Sequence, residues 1–414
     1  MIFRILPPQL IQSAITLPPS KSIANRCAIL DFLSGHTESA LQDGLPEDVQ
    51  VMHQALLDIK DGAEVISCGQ AGTVMRFLTA LLSVTPGTRI LTGGSRINER
   101  PIGALVDALR RLGACIEHVH QEGYPPLSIS GGHLNGGSTE IPGDISSQFI
   151  SALMMAGVTM PQGLTIHITT PIHSRPYLQM TLKLMQEYGI QAEWSDERTL
   201  RIPHNEHLER PCHRAEADWS AAAYWYEVVA LSKDPDAQVV LEGLNLESLQ
   251  GDSRTADLFK ELGVETRIIP KGLLIRKHKE SLPDRFVKDL SGNPDLAQTL
   301  TATCCALGIP FRLSGLSSLT IKETDRAEAM RAECQKLGYI LSWDGDAILW
   351  NGECQKAESD PVIQTYGDHR MALSMAPLAI EFPGLMIKDP QVAAKSYPGF
   401  FDDLTNAGFQ IQNI

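Results

Sequence analysis

LPPSKSIANR, residues 17–26, carries two prolines that stop any regular element and then opens a helix. Ser20 or Ser22 offers an N-cap, Ile23, Cys27 and Leu30 form an apolar stripe at helical spacing, and Gly35 closes the helix. The charge at this end has the wrong sign for a helix standing alone. Free N–H groups and the macrodipole already make a first turn electropositive, and Lys21 and Arg26 add to it, with Ser22 one turn below Arg26. A bound phosphate or carboxylate relieves that repulsion. Solvation of both side chains in a loop relieves it as well, so this stretch alone leaves the two readings level.

Outward from this helix the chain repeats itself. A leucine-rich helix stops at a glycine and an apolar strand begins at Gly62, Gly113, Gly189, Gly263, Gly338 and Gly408, positions separated by 51, 76, 74, 75 and 70 residues. A second set of markers is polar and opens helices rich in small residues. After KSIANR come QAGTVMRF at Gly72, DISSQF at Ser146, ADWSAAAY at Ser220, GNPDLAQT at Pro294 and YGDHRMAL at Asp368, and each step from Gly72 onward is 74 residues. Two beats in phase predict six copies of one unit, each with a buried small-residue helix, an amphipathic helix ending at glycine, and short strands between. Coincidental spacing in a plain α/β array is the competing reading. Copies packed about a common axis would gather their positive helix ends at one mouth. The copies divide into two sets of three with a break near 211–218, and the strand before Pro18 has no preference for either half. Two crossings, at Pro18 and at this break, would make a hinge.

At 414 residues and 43% hydrophobic content the chain is too long for one ordinary core, so two domains are expected. A net charge of −14, with no run of Lys and Arg to interrupt it, argues against a nucleic-acid or anionic-membrane surface. Any anion must therefore meet a local basic cluster. The eight cysteines show no CxxC spacing, and several sit in apolar helical patterns such as TATCCALG, as thiols in a reducing compartment do. No apolar run reaches the roughly 18 residues of a membrane span, and MIFRILPPQLIQSAITLPPS lacks a convincing cleavage site. A soluble cytoplasmic protein is expected.

Each polar cluster fits one wall of an anion site. Gly72 in QAGT gives close backbone approach with Arg76 one turn in, although simple helix capping reads the same way. In LTGGSRINERPIG, Arg100 precedes proline and is pushed extended, able to enter a cleft; a surface pair with Glu99 is the alternative. Ser146, Ser147 and Gln148 supply neutral donors for a phosphate or for hydroxyls, or a bare N-cap. In KETDR, Lys322, Glu323 and Arg326 fall within a turn and a half, as on a salt-bridged helix face. Glu323 beside two cations works as a proton donor only if burial offsets their acidifying effect. Asp295 has little cationic company in sequence, which suits a base taking a proton from a hydroxyl, or a helix cap. His369 and Arg370 open the last small-residue helix and Lys395 lies in AAKSYPGF. No spacing of His, Cys or carboxylates suggests a structural metal.

LPPSKSIANR, AGTVMR, RINERPIG, SSQF, SRPY, KETDR, YGDHRM and AAKSYP stand in the order of one family, and over essentially its full length the chain resembles the 5-enolpyruvylshikimate-3-phosphate synthases, which are enolpyruvyl transferases. The resemblance implies an α/β fold of two domains, an inside-out α/β barrel of six βαβαββ-type repeats, three per domain. Residues 18–215 would form one domain and 1–17 with 216–414 the other, hinged at the two crossings. It implies transfer of the enolpyruvyl group of phosphoenolpyruvate to the 5-hydroxyl of shikimate 3-phosphate with release of phosphate, without cofactor or metal. Carried over by motif, Lys21, Ser22, Arg26, Ser146, Ser147, Gln148, Ser174, Asp295, Ser318 and Lys322 would hold shikimate 3-phosphate. Lys21, Gly72, Arg100, Gln148, Arg326, Arg370 and Lys395 would hold phosphoenolpyruvate. Asp295 resembles the base at the 5-hydroxyl and Glu323 the acid at the methylene carbon, assisted by Lys21. Domain closure would join the half-sites and exclude water.

Gln70 stands where the family usually has asparagine, Phe77 where proline often follows the MR pair, and Ser318 where asparagine is common. These departures bear on phosphate affinity and glyphosate sensitivity rather than on the chemistry. The related transferase acting on UDP-N-acetylglucosamine carries Lys-Asn near its start and a mobile-loop cysteine, against Lys21-Ser22 and a cysteine-free RINERPIG here. A non-catalytic scaffold would have no need of Lys21, Asp295 and Glu323. A monomer is the default expectation, with small-molecule substrates and no nucleic-acid or membrane partner.

Overall fold

The structure, a computed structural model, describes all residues except 37–43, 133, 210–215 and 279–281, so most of the expected break at 211–218, and Cys212, lie outside the described residues. The chain forms two compact units, residues 21–215 and residues 1–20 with 216–414.

Among the described residues each unit is built from four-stranded sheets with one recurring order. In the 21–215 unit one sheet runs Val65–Ser67, Gly87–Thr92, Leu127–Gly131, Cys115–His118, and the other Gly137–Ile141, Leu164–Ile168, Thr199–Ile202, Glu193–Trp194. The other unit has three: Gln12–Thr16, Gln238–Glu242, Gly272–Lys277, Val264–Ile269; then Phe286–Asp289, Phe311–Ser314, Ile348–Trp350, Ser342–Trp343; and Val362–Ile363, Leu385–Lys388, Ile2–Leu6, Gln410–Asn413. In all five the first two strands pair parallel and the next two pairs are antiparallel. A parallel pair needs a crossover, and a helix rich in small residues precedes the second strand of each: Gly72–Val84, Ser147–Gly157, Trp219–Leu231, Ala297–Leu307 and His369–Met375.

These crossover helices are buried nearly all round. GTVMRFLTALLSV tolerates that partly because its two deepest hydroxyls find partners within the helix: Thr79 Oγ1 donates to the Met75 carbonyl and Ser83 Oγ to that of Thr79, each at 2.8 Å. The six glycines expected to stop helices all adopt left-handed φ, between 78° and 98°. Each lies two or three residues past a helix, as at Gly113 after Gly103–Arg111 and Gly338 after Arg326–Lys336.

Sequence left open where the N-terminal segment goes. Ile2–Leu6 lies between Leu385–Lys388 and Gln410–Asn413, and Gln12–Thr16 runs parallel to Gln238–Glu242, so both strands complete sheets of the C-terminal part. Segments 18–20 and 216–218 then pair with each other: Ser20 N–H donates to the Glu216 carbonyl at 2.7 Å and Asp218 N–H to that of Pro18 at 2.9 Å. All seven described cysteines are free thiols. No helix among the described residues is long and apolar enough to cross a membrane.

Candidate active site

In the 21–215 unit four helices meet around Arg26. This side chain is 1% exposed, its Nε donates to Thr181 Oγ1 at 2.7 Å, Nη1 to the Ser22 carbonyl at 2.8 Å and Nη2 to Ser151 Oγ at 3.2 Å, and its Cζ stands 5.3 Å from the centre of the Phe77 ring. Ser22 lies in the first turn of Lys21–Leu33, while Phe77, Ser151 and Thr181 sit one to two turns into Gly72–Val84, Ser147–Gly157 and Arg175–Glu187. With hydroxyls and a π face in place of a carboxylate, burial lowers the guanidinium to about 10. Phe77, a departure from the family pattern, thus backs a residue of the expected site.

The repulsion expected at the helix start is partly met from within. Lys21 Nζ lies 3.0 Å from Asp48 Oδ2, an almost fully buried acid in the first turn of Glu47–Lys60. The expected N-cap is not made as written: Ser20 Oγ is buried without a partner and Ser22 falls inside the helix. Gln148 ties two helix starts together, its Oε1 accepting from Arg76 Nη1 and its Nε2 donating to Thr73 Oγ1 at 3.0 Å. Ser146 does cap its helix, accepting from Gln148 N–H at 3.3 Å, and Ser147 is buried beside it. Ser174 holds left-handed backbone, φ 57°, at the head of Arg175–Glu187, a strained state for serine that recurs at ligand sites.

Arg100 is not the surface partner of Glu99. Glu99 pairs with Arg96 at 2.9 Å, and Arg100 is buried against Gly72, where a Cβ would come within 2.5 Å of its Nη1. Gly72, Met75, Arg76, Ile97, Arg100, Pro101 and Ile102 line a small pocket. Gln70 packs its amide over Gly94, whose Cβ, if present, would overlap it.

In the other unit the expected acids and bases form one lattice. Asp295 accepts from Arg370 Nη2 at 2.7 Å and Arg326 Nη1 at 3.0 Å, with Lys322 Nζ at 3.8 Å. Glu323 lies 2.8 Å from Arg326 Nη2 and 3.5 Å from Lys395 Nζ. Asp368, fully buried, takes Arg326 Nε at 2.7 Å and caps His369–Met375 through Arg370 N–H at 2.9 Å. Burial alone would raise Asp295, but the fields of Arg370, Lys322 and Arg326 outweigh it and hold this carboxyl well below the ordinary carboxylate range. Behind it Asp252 is pushed up by burial and by Asp295, its carboxylate taking Ser220 Oγ and Asn293 Nδ2.

Two readings of the sequence are corrected here. Asp295 is surrounded by cations, because Arg326 and Arg370 come from elements far along the chain, and it caps no helix. KETDR is not a helix face: the helix starts at Arg326 with Asp325 as N-cap, and Lys322 and Glu323 lie in the bend that leads into it. Ser318 sits half-buried in the turn Ser317–Ile321. Sequence reasoning missed Asp48, Thr181, Ser151 and Asp368 as partners. Asp48 and Asp368 had a signal, an acid at a helix start, while Thr181 and Ser151 look like any buried hydroxyl.

Comparisons with known proteins agree on one family. The model of the family described as EPSP synthase (3-phosphoshikimate 1-carboxyvinyltransferase) matches residues 57–404. A 3-phosphoshikimate 1-carboxyvinyltransferase of Bacteroides fragilis is 46% identical, covering 100% of this chain and 99% of the relative, and one of Shewanella pealeana is 32% identical, covering 97% and 98%. Two solved structures of EPSP synthase from Acinetobacter baumannii, 22% identical and covering both chains in full, share the fold with TM-scores of 0.72 and 0.74. The chain therefore belongs to the EPSP synthase family and has its activity, 3-phosphoshikimate 1-carboxyvinyl transfer in the shikimate pathway.

Proposed function

We propose that Asp295 and Glu323 carry out this transfer as base and acid. Asp295 takes the proton of the 5-hydroxyl of shikimate 3-phosphate as its oxygen attacks C2 of phosphoenolpyruvate, and Glu323, assisted by Lys21, protonates C3. The tetrahedral adduct then loses phosphate by cleavage of the C2–O bond, and C3 gives up a proton to restore the vinyl ether. Arg100, Arg326, Arg370 and Lys395 hold the carboxylate and phosphate of phosphoenolpyruvate, with Lys21, Gly72 and Gln148; cations there offset charge that builds as phosphate departs. Lys21, Ser22, Arg26, Ser146, Ser147, Gln148, Ser174, Ser318 and Lys322 hold shikimate 3-phosphate. The observation that carries the reading is the lattice itself, in which the two carboxylates meant to move protons share Arg326.

In this reading the chain is six βαβαββ-type repeats in an inside-out α/β barrel, three to a domain, the paired segments 18–20 and 216–218 acting as hinge. The recurring sheet order supports it. The protein works as a cytoplasmic monomer without cofactor. Phosphate release from phosphoenolpyruvate, followed with shikimate 3-phosphate and separately with UDP-N-acetylglucosamine, tests it: turnover is expected only with the former, and equal turnover with the sugar nucleotide would refute it.

A further inference from the structure

We propose that Glu333 and Tyr366 form a latch that positions Arg326 and Arg370 for phosphoenolpyruvate; the proposal rests on the reading that these arginines hold that substrate. The helix Arg326–Lys336 is fastened at two points to the segment leading into His369–Met375. At its first residue Arg326 grips Asp368, Nε to Oδ2 at 2.7 Å and Nη2 to Oδ1 at 3.4 Å. Two turns on, the Glu333 carboxylate, fully buried, accepts from the Tyr366 hydroxyl at 2.6 Å, the Gln364 N–H at 3.0 Å and Lys336 Nζ at 2.6 Å.

Between these two fastenings the backbone is forced. Tyr366 has φ 54° and Gly367 φ 68°, two consecutive left-handed residues, and for tyrosine that state is strained. Packing does not hold it there, since Tyr366 is 45% exposed. Its hydroxyl on Glu333 does. The phenol is a donor through the neutral range, because burial and Glu333 both push it well above its ordinary value. The turn so held delivers Asp368, which serves two masters: it caps the helix bearing Arg370 and accepts both contacts from Arg326. Release of Tyr366 lets the turn relax, moves Asp368, and takes both guanidinium groups out of register. Among the described residues, the hydrogen bonds and ion pairs of Glu333 and Tyr366 go to each other, Gln364 and Lys336, none of them assigned to substrate, so their role is positioning.

The test uses Tyr366→Phe, Tyr366→Asn and Glu333→Gln in the full-length enzyme, with kcat, both KM values and thermal midpoints. Losing a hydrogen bond to a buried carboxylate should raise KM for phosphoenolpyruvate about tenfold in Tyr366→Phe and Glu333→Gln, with KM for shikimate 3-phosphate nearly unchanged. Asparagine accepts left-handed backbone without the tether, so Tyr366→Asn should recover most of the loss. The Phe/Gln double variant should be no worse than the poorer single one. Unchanged KM for phosphoenolpyruvate in both single variants, or equal rises in both KM values with a lower midpoint, overturns the latch. Arg370→Lys is the control for the underlying assignment: if it leaves KM for phosphoenolpyruvate alone, the arginine reading fails and the latch with it.

Discussion

At the scale of single residues, Gly72 and Glu227 make opposite demands on the chain. A Cβ at Gly72 would meet Arg100 Nη1 at 2.5 Å and Arg76 Nη1 at 3.1 Å, so Gly72→Ala must push Arg100 aside. Steady-state kinetics should show KM for phosphoenolpyruvate raised about tenfold or more, with shikimate 3-phosphate affinity kept. Glu227 lies fully buried in the core of its unit, both oxygens without a hydrogen-bond partner, and burial first, then the Cys334 thiol, push it well above the carboxylate range. A folded-state value raised in this way gives stability that is complete below the unfolded carboxylate value and lost as pH rises through the folded one. Glu227→Leu should therefore gain about 1–3 kcal/mol in urea unfolding at pH 8 and less at pH 5, and parallel pH curves for the two proteins would contradict it. Asp295, held low by its cations, runs the other way, its contribution fading as pH falls. Sequence could place Asp295 at a helix start but not see its charge environment, since Arg326 and Arg370 lie 31 and 75 residues away. The same distance blindness hid Asp48 beside Lys21.

At the scale of elements, what was legible is what the backbone itself requires. A glycine past a helix end supplies the left-handed residue that any other side chain resists, and all six expected stops have that conformation. Nothing lies within 4 Å of a Cβ at Gly62 or Gly113, so alanine there adds conformational strain and no clash. Each substitution should cost about 1 kcal/mol in urea unfolding, and asparagine less; a free substitution by alanine would mean the glycine is no stop. The small-residue helices were legible for a related reason, because only short side chains and self-satisfied hydroxyls let a helix be buried on every side. Helix starts were less legible. Polar residues at a first turn serve as caps, as Ser146 and Asp368 do, or as lattice members, as Asp295 does, and the sequence has the same look in each case.

At the scale of the whole molecule, the 74-residue beat marked where the five crossover helices open while saying nothing of which strands close the sheets. Strand Ile2–Leu6 belongs to a sheet whose other members lie beyond residue 361, a pairing with no local signal. The recurring sheet order explains why the beat is audible: every parallel pair needs its buried crossover, and every crossover begins with polar residues that the fold gathers within its unit. The chemistry drawn from that gathering depends most on Glu323. Single-turnover phosphate release and shikimate 3-phosphate binding, measured on Glu323→Gln beside the unaltered enzyme, test it most directly. Release should fall by at least about a hundredfold while binding stays within a few-fold, because glutamine keeps the shape and cannot deliver the proton. Release at the normal rate would show that another group protonates the methylene carbon.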